Sequence, residues 1–322
     1  IGFEVYSNYS NQNGGGIYSI NSNININING TFISYINENE ATNNGGGAYI
    51  QDGTLYGENL HFISNTSHAD GGAIFIDNGG EIDLFETVIH GNTAENDGGA
   101  INLNGYNTNL NIQNGEINGN ISETSSILYS NNGQVKIQNT LINGNYSNSY
   151  PGGIIAKNSN VSLLNLTLTN NEVNSPDAGG NLNFEQYGTL KIINSILWDN
   201  DGTELYLKPD GYSKTVFSSH TTMNEGREGI VSSITDSIYY YDESNLSIDP
   251  KFISPEKGFY YITKESPCVD AGTNLFMIGS DTILYIPNEQ NVDGDGDGIS
   301  LPDMGAYDKR VLSVYPGDLN ND

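Results

Sequence analysis

Two landmarks that return at a steady step constrain this chain more than any other feature. A glycine pair followed by a small or apolar residue occurs at Gly15-Gly16-Ile17, Gly46-Gly47-Ala48, Gly71-Gly72-Ala73 and Gly98-Gly99-Ala100. It returns at Gly152-Gly153-Ile154 and Gly179-Gly180-Asn181, with Ser125-Ser126-Ile127 in the slot between. The second landmark is Asn, an apolar residue three on, and Asn three further. It appears as Asn59/Phe62/Asn65, Asn114/Ile117/Asn120, Asn139/Ile142/Asn145, Asn165/Leu168/Asn171 and Asn194/Leu197/Asn200, with Glu86/Ile89/Asn92 as the variant. The step is about 27 residues, which is the scale of a solenoid.

Between the landmarks run short alternations: Ile82 and Leu84, Leu110 and Ile112, Val135 and Ile137, Val161 and Leu163, Leu190 and Ile192. Asp83, Asn111, Lys136, Ser162 and Lys191 separate them. A period of two is a strand with one buried face, and no stretch shows a helical 3.6-residue stripe. Each unit therefore reads as about three short strands, stacked on its neighbours as a coil of a parallel β-helix. Coils about 4.8 Å apart make a rod roughly 30 Å long. Tyr18, Tyr49, Ile74, Ile101, Leu128, Ile155 and Leu182 are expected to form one inward column. Stacked Asn amides, each both donor and acceptor, are expected to form a ladder along the axis. Asn and Gly also supply the left-handed backbone that tight corners need.

The charge narrows the function classes. Eleven Lys and Arg against 39 Asp and Glu give a net charge of −28, which argues against phosphate-neutralising nucleic-acid binding and disfavours a polybasic membrane role. The single Cys allows no internal disulfide. No apolar run reaches the length of a membrane span, and no signal peptide heads the sequence. The polarity is carried by 48 Asn rather than by charge.

The glycine-pair entries joined to apolar-x-x-Asn exits, over about residues 1–200, resemble the repeats of polymorphic outer-membrane proteins and related bacterial surface β-helix proteins. The later part carries Ile248-Asp249-Pro250-Lys251-Phe252, Ser266-Pro267-Cys268-Val269-Asp270-Ala271-Gly272 and Asp303-Met304-Gly305-Ala306-Tyr307. These three stretches resemble the ending of secreted bacterial right-handed β-helix proteins. The resemblance implies a right-handed, all-β parallel β-helix with a C-terminal cap, secretion or surface display, and no particular reaction. The expected division is 1–208 for about seven coils and 209–322 for an irregular β-rich cap. Val5-Tyr6-Ser7-Asn8 matches half of the second landmark, so the sequence is expected to begin in mid-coil, with flanking modules on both sides. Gly317-Asp318-Leu319-Asn320-Asn321-Asp322 resembles the opening of a dockerin calcium loop.

Asp293-Gly294-Asp295-Gly296-Asp297-Gly298 is the sharpest local motif. Alternate carboxylates converge where Gly permits a sharp bend, which suits Ca²⁺. The expected ligands are Asp293, Asp295, Asp297, the carbonyl of Ile299, and Asp303, which takes the place next to Met304 where an EF-hand carries Glu. The ion is expected to be structural, stiffening the cap. No residue is assigned a catalytic role. Asp52, Asp77, Asn104, Asn131, Asn158 and Glu185 read as one column of turn-favouring residues that ends each first strand. Tyr239-Tyr240-Tyr241, Tyr260 and Tyr261 read as covering the open end of the stack, and His61 and His90 read on opposite strand parities. Trp198 reads equally as exposed or as buried under the C-terminal loops.

The expected role is a secreted or cell-surface structural or adhesion module with a rigid acidic surface. Its partner is expected to be a glycan or protein of a host or neighbouring surface. An extracellular polysaccharide lyase or hydrolase is the alternative, followed by a filament or surface-layer scaffold.

Overall fold

The structure, a computed structural model, describes residues 2–26, 32–149, 152–174, 180–232, 238–287 and 301–306. It is a parallel β-solenoid of about seven turns at a spacing of about 26 residues. A representative coil has a first strand Ile74–Asp77, a second Glu81–Phe85, a third Val88–His90 and a two-residue fourth, Thr93–Ala94. In the next coils the first two or all three strands fuse into one bent run, as in Ile101–Gln113 and Leu128–Asn143. The two-residue strands from Tyr9–Ser10 to Glu172–Val173 make a seven-stranded parallel sheet of their own.

The alternating pairs named above are all buried, and Asp83, Asn111, Lys136, Ser162 and Lys191 all face outward between them. The inward column of first strands differs from expectation by one residue at three places. Ile17, Ala48, Ile74, Ile101, Leu128, Ile154 and Leu182 are in register, whereas Tyr18, Tyr49 and Ile155 lie on the outer side. The reason is the left-handed glycine. Gly14, Gly45, Gly71 and Gly98 all have φ between 67° and 72°, so these four corners align on the first glycine of the run. At Gly152-Gly153 the left-handed residue is instead the second, Gly153 with φ 53°, and the strand starts directly after it at Ile154. The glycine after Gly71 is equally constrained, because a Cβ on Gly72 would sit 2.2 Å from the carbonyl oxygen of Gly99.

The asparagine ladder runs unbroken through eight rungs: Asn8, Asn39, Asn65, Asn92, Asn120, Asn145, Asn171 and Asn200. Each backbone N–H and each Nδ2 donates to the Oδ1 of the next coil's asparagine at 2.8–3.1 Å. The second Nδ2 proton of the Asn92 and Asn120 amides goes to the carbonyls of Phe62 and Ile89 at 3.0 and 2.9 Å. A buried amide with all its capacity used costs little, whereas an unmet one costs about 1–3 kcal/mol. The residue before each ladder asparagine is left-handed in every coil: Ser7, Glu38, Ser64, Gly91, Gly119, Gly144, Asn170 and Asp199. That kink turns the asparagine inward.

Glu204 ends the ladder. Register places Gly226, which has no side chain, opposite Asn200. Asn200 donates Nδ2 to Glu204 Oε2 at 2.9 Å instead, and its backbone N–H bonds the same side chain. A glutamate carboxyl thus replaces the missing asparagine oxygen.

Parallel stacking does not stop at residue 208. Thr203–Leu207, Lys214–Ser219, Ile230–Ser232 and Ile238–Tyr241 continue the large sheet, so the division expected at 208 falls within the stack. The chain then returns along the flank of the rod. Tyr260 packs on Phe252 and bonds Asn143, while Gly305 and Thr273 bond Asn194. Ala306 donates its N–H to Thr167 Oγ1 at 3.0 Å. Two antiparallel hairpins, Phe252–Ser254 with Phe259–Ile262 and Leu275–Ile278 with Asp281–Tyr285, build this strap. Tyr260 therefore braces a side face rather than closing the end, and Tyr240 instead stacks on Phe217 in the outermost described coil. Cys268, Met304 and Ile196 form a small core under the strap, with Trp198 packed half-buried against it.

Candidate functional site

The strap covers part of the third-strand face, so the first-strand face carries the other notable set of side chains. Its outward positions form two columns. The column nearer the glycine corner begins with Tyr18, Tyr49 and Phe75, whose rings stack at 5.3 and 5.6 Å. Tyr18 is 56% exposed while Tyr49 and Phe75 are buried. A Cβ on Gly71, four residues earlier, would sit 3.1 Å from the Cβ of Phe75, so a glycine lets the corner pass close beside the stack. Tyr49 donates its hydroxyl to Asp77 Oδ2 at 2.6 Å; burial, then the Asp77 contact, pushes its phenol well above the ordinary range.

The second column is Gln51, Asp77, Asn104, Asn131, Lys157, Glu185 and Lys208. Asp52 and Asn158, expected here, stand one residue further on with φ of 47° and 46°. They are the left-handed turn residues that leave the strand. Their places are taken by Gln51 and Lys157. Glu185, nearly buried, receives Lys208 Nζ at 3.1 Å on Oε1 and Lys157 Nζ at 3.5 Å on Oε2. Lys157 also lies over the Tyr129 ring at 5.0 Å. Burial works against the Lys157 charge, but Tyr129 and Glu185 outweigh it and raise its affinity for the proton. Asn183 donates Nδ2 to Glu185 Oε1 at 3.2 Å, and its own Oδ1 is buried without a hydrogen-bond partner among the described residues.

Just beyond, the turn carries Tyr187 and Tyr212, with ring centroids 4.8 Å apart at 61°. Asp210 accepts from the fully buried Lys214 at 2.7 Å and from the Gln186 N–H at 2.6 Å, fixing this turn. The Lys157–Glu185–Lys208 group was hidden in the sequence because its members are 23 and 28 residues apart and only correct register aligns them.

The expected calcium ligands Asp293, Asp295, Asp297 and Ile299 lie outside the described residues, as does the dockerin-like segment. Asp303 is nearly buried and its Oδ1 accepts the Asp270 N–H at 2.9 Å, while Asp270 Oδ1 accepts the Leu301 N–H at 3.1 Å. Among the described residues no three or more His, Cys, Asp or Glu are grouped to hold a metal.

The histidines stand apart from the first-strand face. His68 lies between Glu40 at 2.7 Å and Glu95 at 2.6 Å, and these contacts, Glu95 first, raise its proton affinity. His61 and His90 occupy outward columns on either side of Phe62 and Ile89, so they share one parity, contrary to expectation. Burial lowers the proton affinity of His61, while His90 bonds Asn118.

No described helix is long and apolar enough to cross a membrane. Comparison with family profiles, with curated proteins and with solved structures returns no match.

Proposed function

We propose that this chain is a secreted or cell-surface adhesion module, with the first-strand face of the rod as its adhesive strip. One observation carries the reading. An outward face of an asparagine-locked solenoid sets an aromatic stack, amides and a two-lysine glutamate cluster along one axis. A ladder that runs as far as Asn200 holds the coils up to there at constant spacing, which reduces the ordering cost of binding a long partner. The exposed rings on this side, Tyr18 of the stack together with Tyr187 and Tyr212, suit a glycan of a neighbouring surface. Calcium belongs to the same reading, as a structural ion of the 293–303 segment.

The convergence of Lys157 and Lys208 on Glu185 also favours a second reading, an extracellular polysaccharide-active enzyme, since general acid–base chemistry uses such groups. Incubation with neutral and uronate polysaccharides, with and without calcium, separates the two. Bound polymer without released oligosaccharide is the expected result. Released oligosaccharide would replace the adhesion reading by the enzymatic one, and absence of binding to every polymer would remove glycan adhesion.

A further inference from the structure

We infer that Lys157, Glu185 and Lys208, with Tyr187 and Tyr212, form a subsite for an acidic sugar, a uronate unit of a glycan chain. The inference rests on the adhesion reading of the first-strand face and names the chemistry that face selects.

Charge is the first argument. Residues 1–135 contain 14 carboxylates and no Lys or Arg, which leaves 39 − 14 = 25 carboxylates and all 11 cations for residues 136–322. Within this acidic chain, two ammonium groups flank one carboxylate, so the cluster carries a local excess of one positive charge. Lys214, close by, is neutralised by Asp210. Asp97 lies near enough to Lys157 to act on it, yet the Lys208 side chain is 46% exposed and, among the described residues, its ammonium bonds Glu185 alone. An ammonium has three donors, so two are left for a ligand or solvent. Acidic coils further along the rod are screened beyond about 8 Å at physiological salt.

Geometry is the second argument. Lys157, Glu185 and Lys208 sit on three successive coils, which spaces the lysine Cα atoms by about 9.6 Å at 4.8 Å per coil. Glu185 lies between the two lysines and draws both ammonium groups to it, so a ligand carboxylate beside it can take a spare donor from either. Tyr187 follows Glu185 by two residues and is 57% exposed; Tyr212 crosses it and is 39% exposed. Such a pair of open aromatic rings beside paired charges gives a sugar ring an apolar face to lie on. The buried Asn183 amide, two residues along the same strand, donates to Glu185 Oε1 and helps to fix its carboxylate. A purely structural ion pair would need neither the second lysine nor the exposed rings.

The test is calorimetric titration of the purified chain, in chelator at physiological salt, with polygalacturonate and with its carboxyl-reduced neutral counterpart. The wild type is expected to bind the acidic polymer at least about tenfold more tightly than the reduced one. Tyr187→Ala/Tyr212→Ala is expected to weaken the acidic polymer by about tenfold as well. Removing lysines alone strands Glu185, so the informative variant is Lys157→Gln/Glu185→Gln/Lys208→Gln, with Lys208→Gln as the mild control and thermal melting as the check on folding. The triple variant is expected to lose the preference for acid while its melting temperature stays close to wild type. Equal affinity of wild type and a folded triple variant for polygalacturonate would overturn the inference. Equal binding of both polymers would overturn it too but leave adhesion standing, whereas binding of neither polymer would sink the subsite, with adhesion then judged on the wider panel.

Discussion

Replacing Asn120 by alanine is expected to destabilise the protein by roughly 3–5 kcal/mol, seen as a lower urea midpoint. The side chain is fully buried and five hydrogen bonds depend on its amide. The N–H and Nδ2 of Asn92 lose their acceptor at 3.0 and 2.9 Å, and the Ile89 carbonyl loses its donor. Each stranded buried group costs about 1–3 kcal/mol, and the row is sealed inside the coils, away from solvent that could replace the lost bonds. Asn131, an outward-facing asparagine of the next coil bonded loosely to Asn104 at 3.3 Å, is the contrast. Its alanine variant is expected to stay within about 0.5 kcal/mol of wild type. Equal effects at the two positions would show that the ladder does not hold the coils together.

Stability is expected to fall as pH rises from about 5 to 8, through Glu204. Burial, partly offset by the two bonds from Asn200, pushes its carboxyl up to about 8 from an ordinary value near 4.5. Between those values the folded protein holds a proton that the unfolded chain has released. Protonation therefore favours the fold at the acid end of the window, and the advantage is lost as pH rises through the folded value. Each tenfold difference in proton affinity between the folded and unfolded chain is worth about 1.4 kcal/mol, so the total is on the order of a few kcal/mol. Glu204→Gln keeps an oxygen for Asn200 and cannot ionise. It is expected to melt at the higher temperature at pH 9 and to lose most of the pH slope. Asp70 and Asp199, whose proton affinities burial also raises, contribute to both proteins alike, so the difference between the two melting curves isolates Glu204. Parallel curves would show that Glu204 is not the group responsible.

Much of the fold was legible because the repeat writes it in single residue types. Only Asn offers two donors and an acceptor on a side chain short enough to reach the next coil, so its column announced the ladder. Parity gave the second strands, where Ile82 and Leu84 alternate with Asp83. Register of the first strands was less secure. The runs Gly14–Gly16 and Gly45–Gly47 hold three glycines, and only backbone conformation shows that the first of them is the left-handed one. That slip moved Tyr49 from the outer face to the inner one. In the Gly152-Gly153 coil the left-handed glycine is the second and the strand starts one residue earlier than expected, so Lys157 stands where Asn158 was expected. The ion cluster was lost with it.

The coils after Asn200 were hidden for a different reason. Their landmark positions are filled by unlike residues: His220 with φ 49° at the asparagine corner, Lys214 opposite Gly188, and Gly226 in the ladder row. Each keeps the backbone path while erasing the residue signal. The strap was marked by its three motifs, but its course along the flank depends on contacts such as Asn194 with Thr273, 79 residues apart.

Hydroxyl-radical footprinting of tyrosines with and without polygalacturonate tests the recognition face most directly. Tyr187 and Tyr212 lie beside the first-strand face, while Tyr240 and Tyr285 stand exposed elsewhere on the molecule. Protection of Tyr187 and Tyr212 with unchanged labelling of Tyr240 and Tyr285 is the expected result. Protection centred on Tyr240 or Tyr285, or none at any tyrosine, would contradict the assignment of the first-strand face as the surface by which this rod binds.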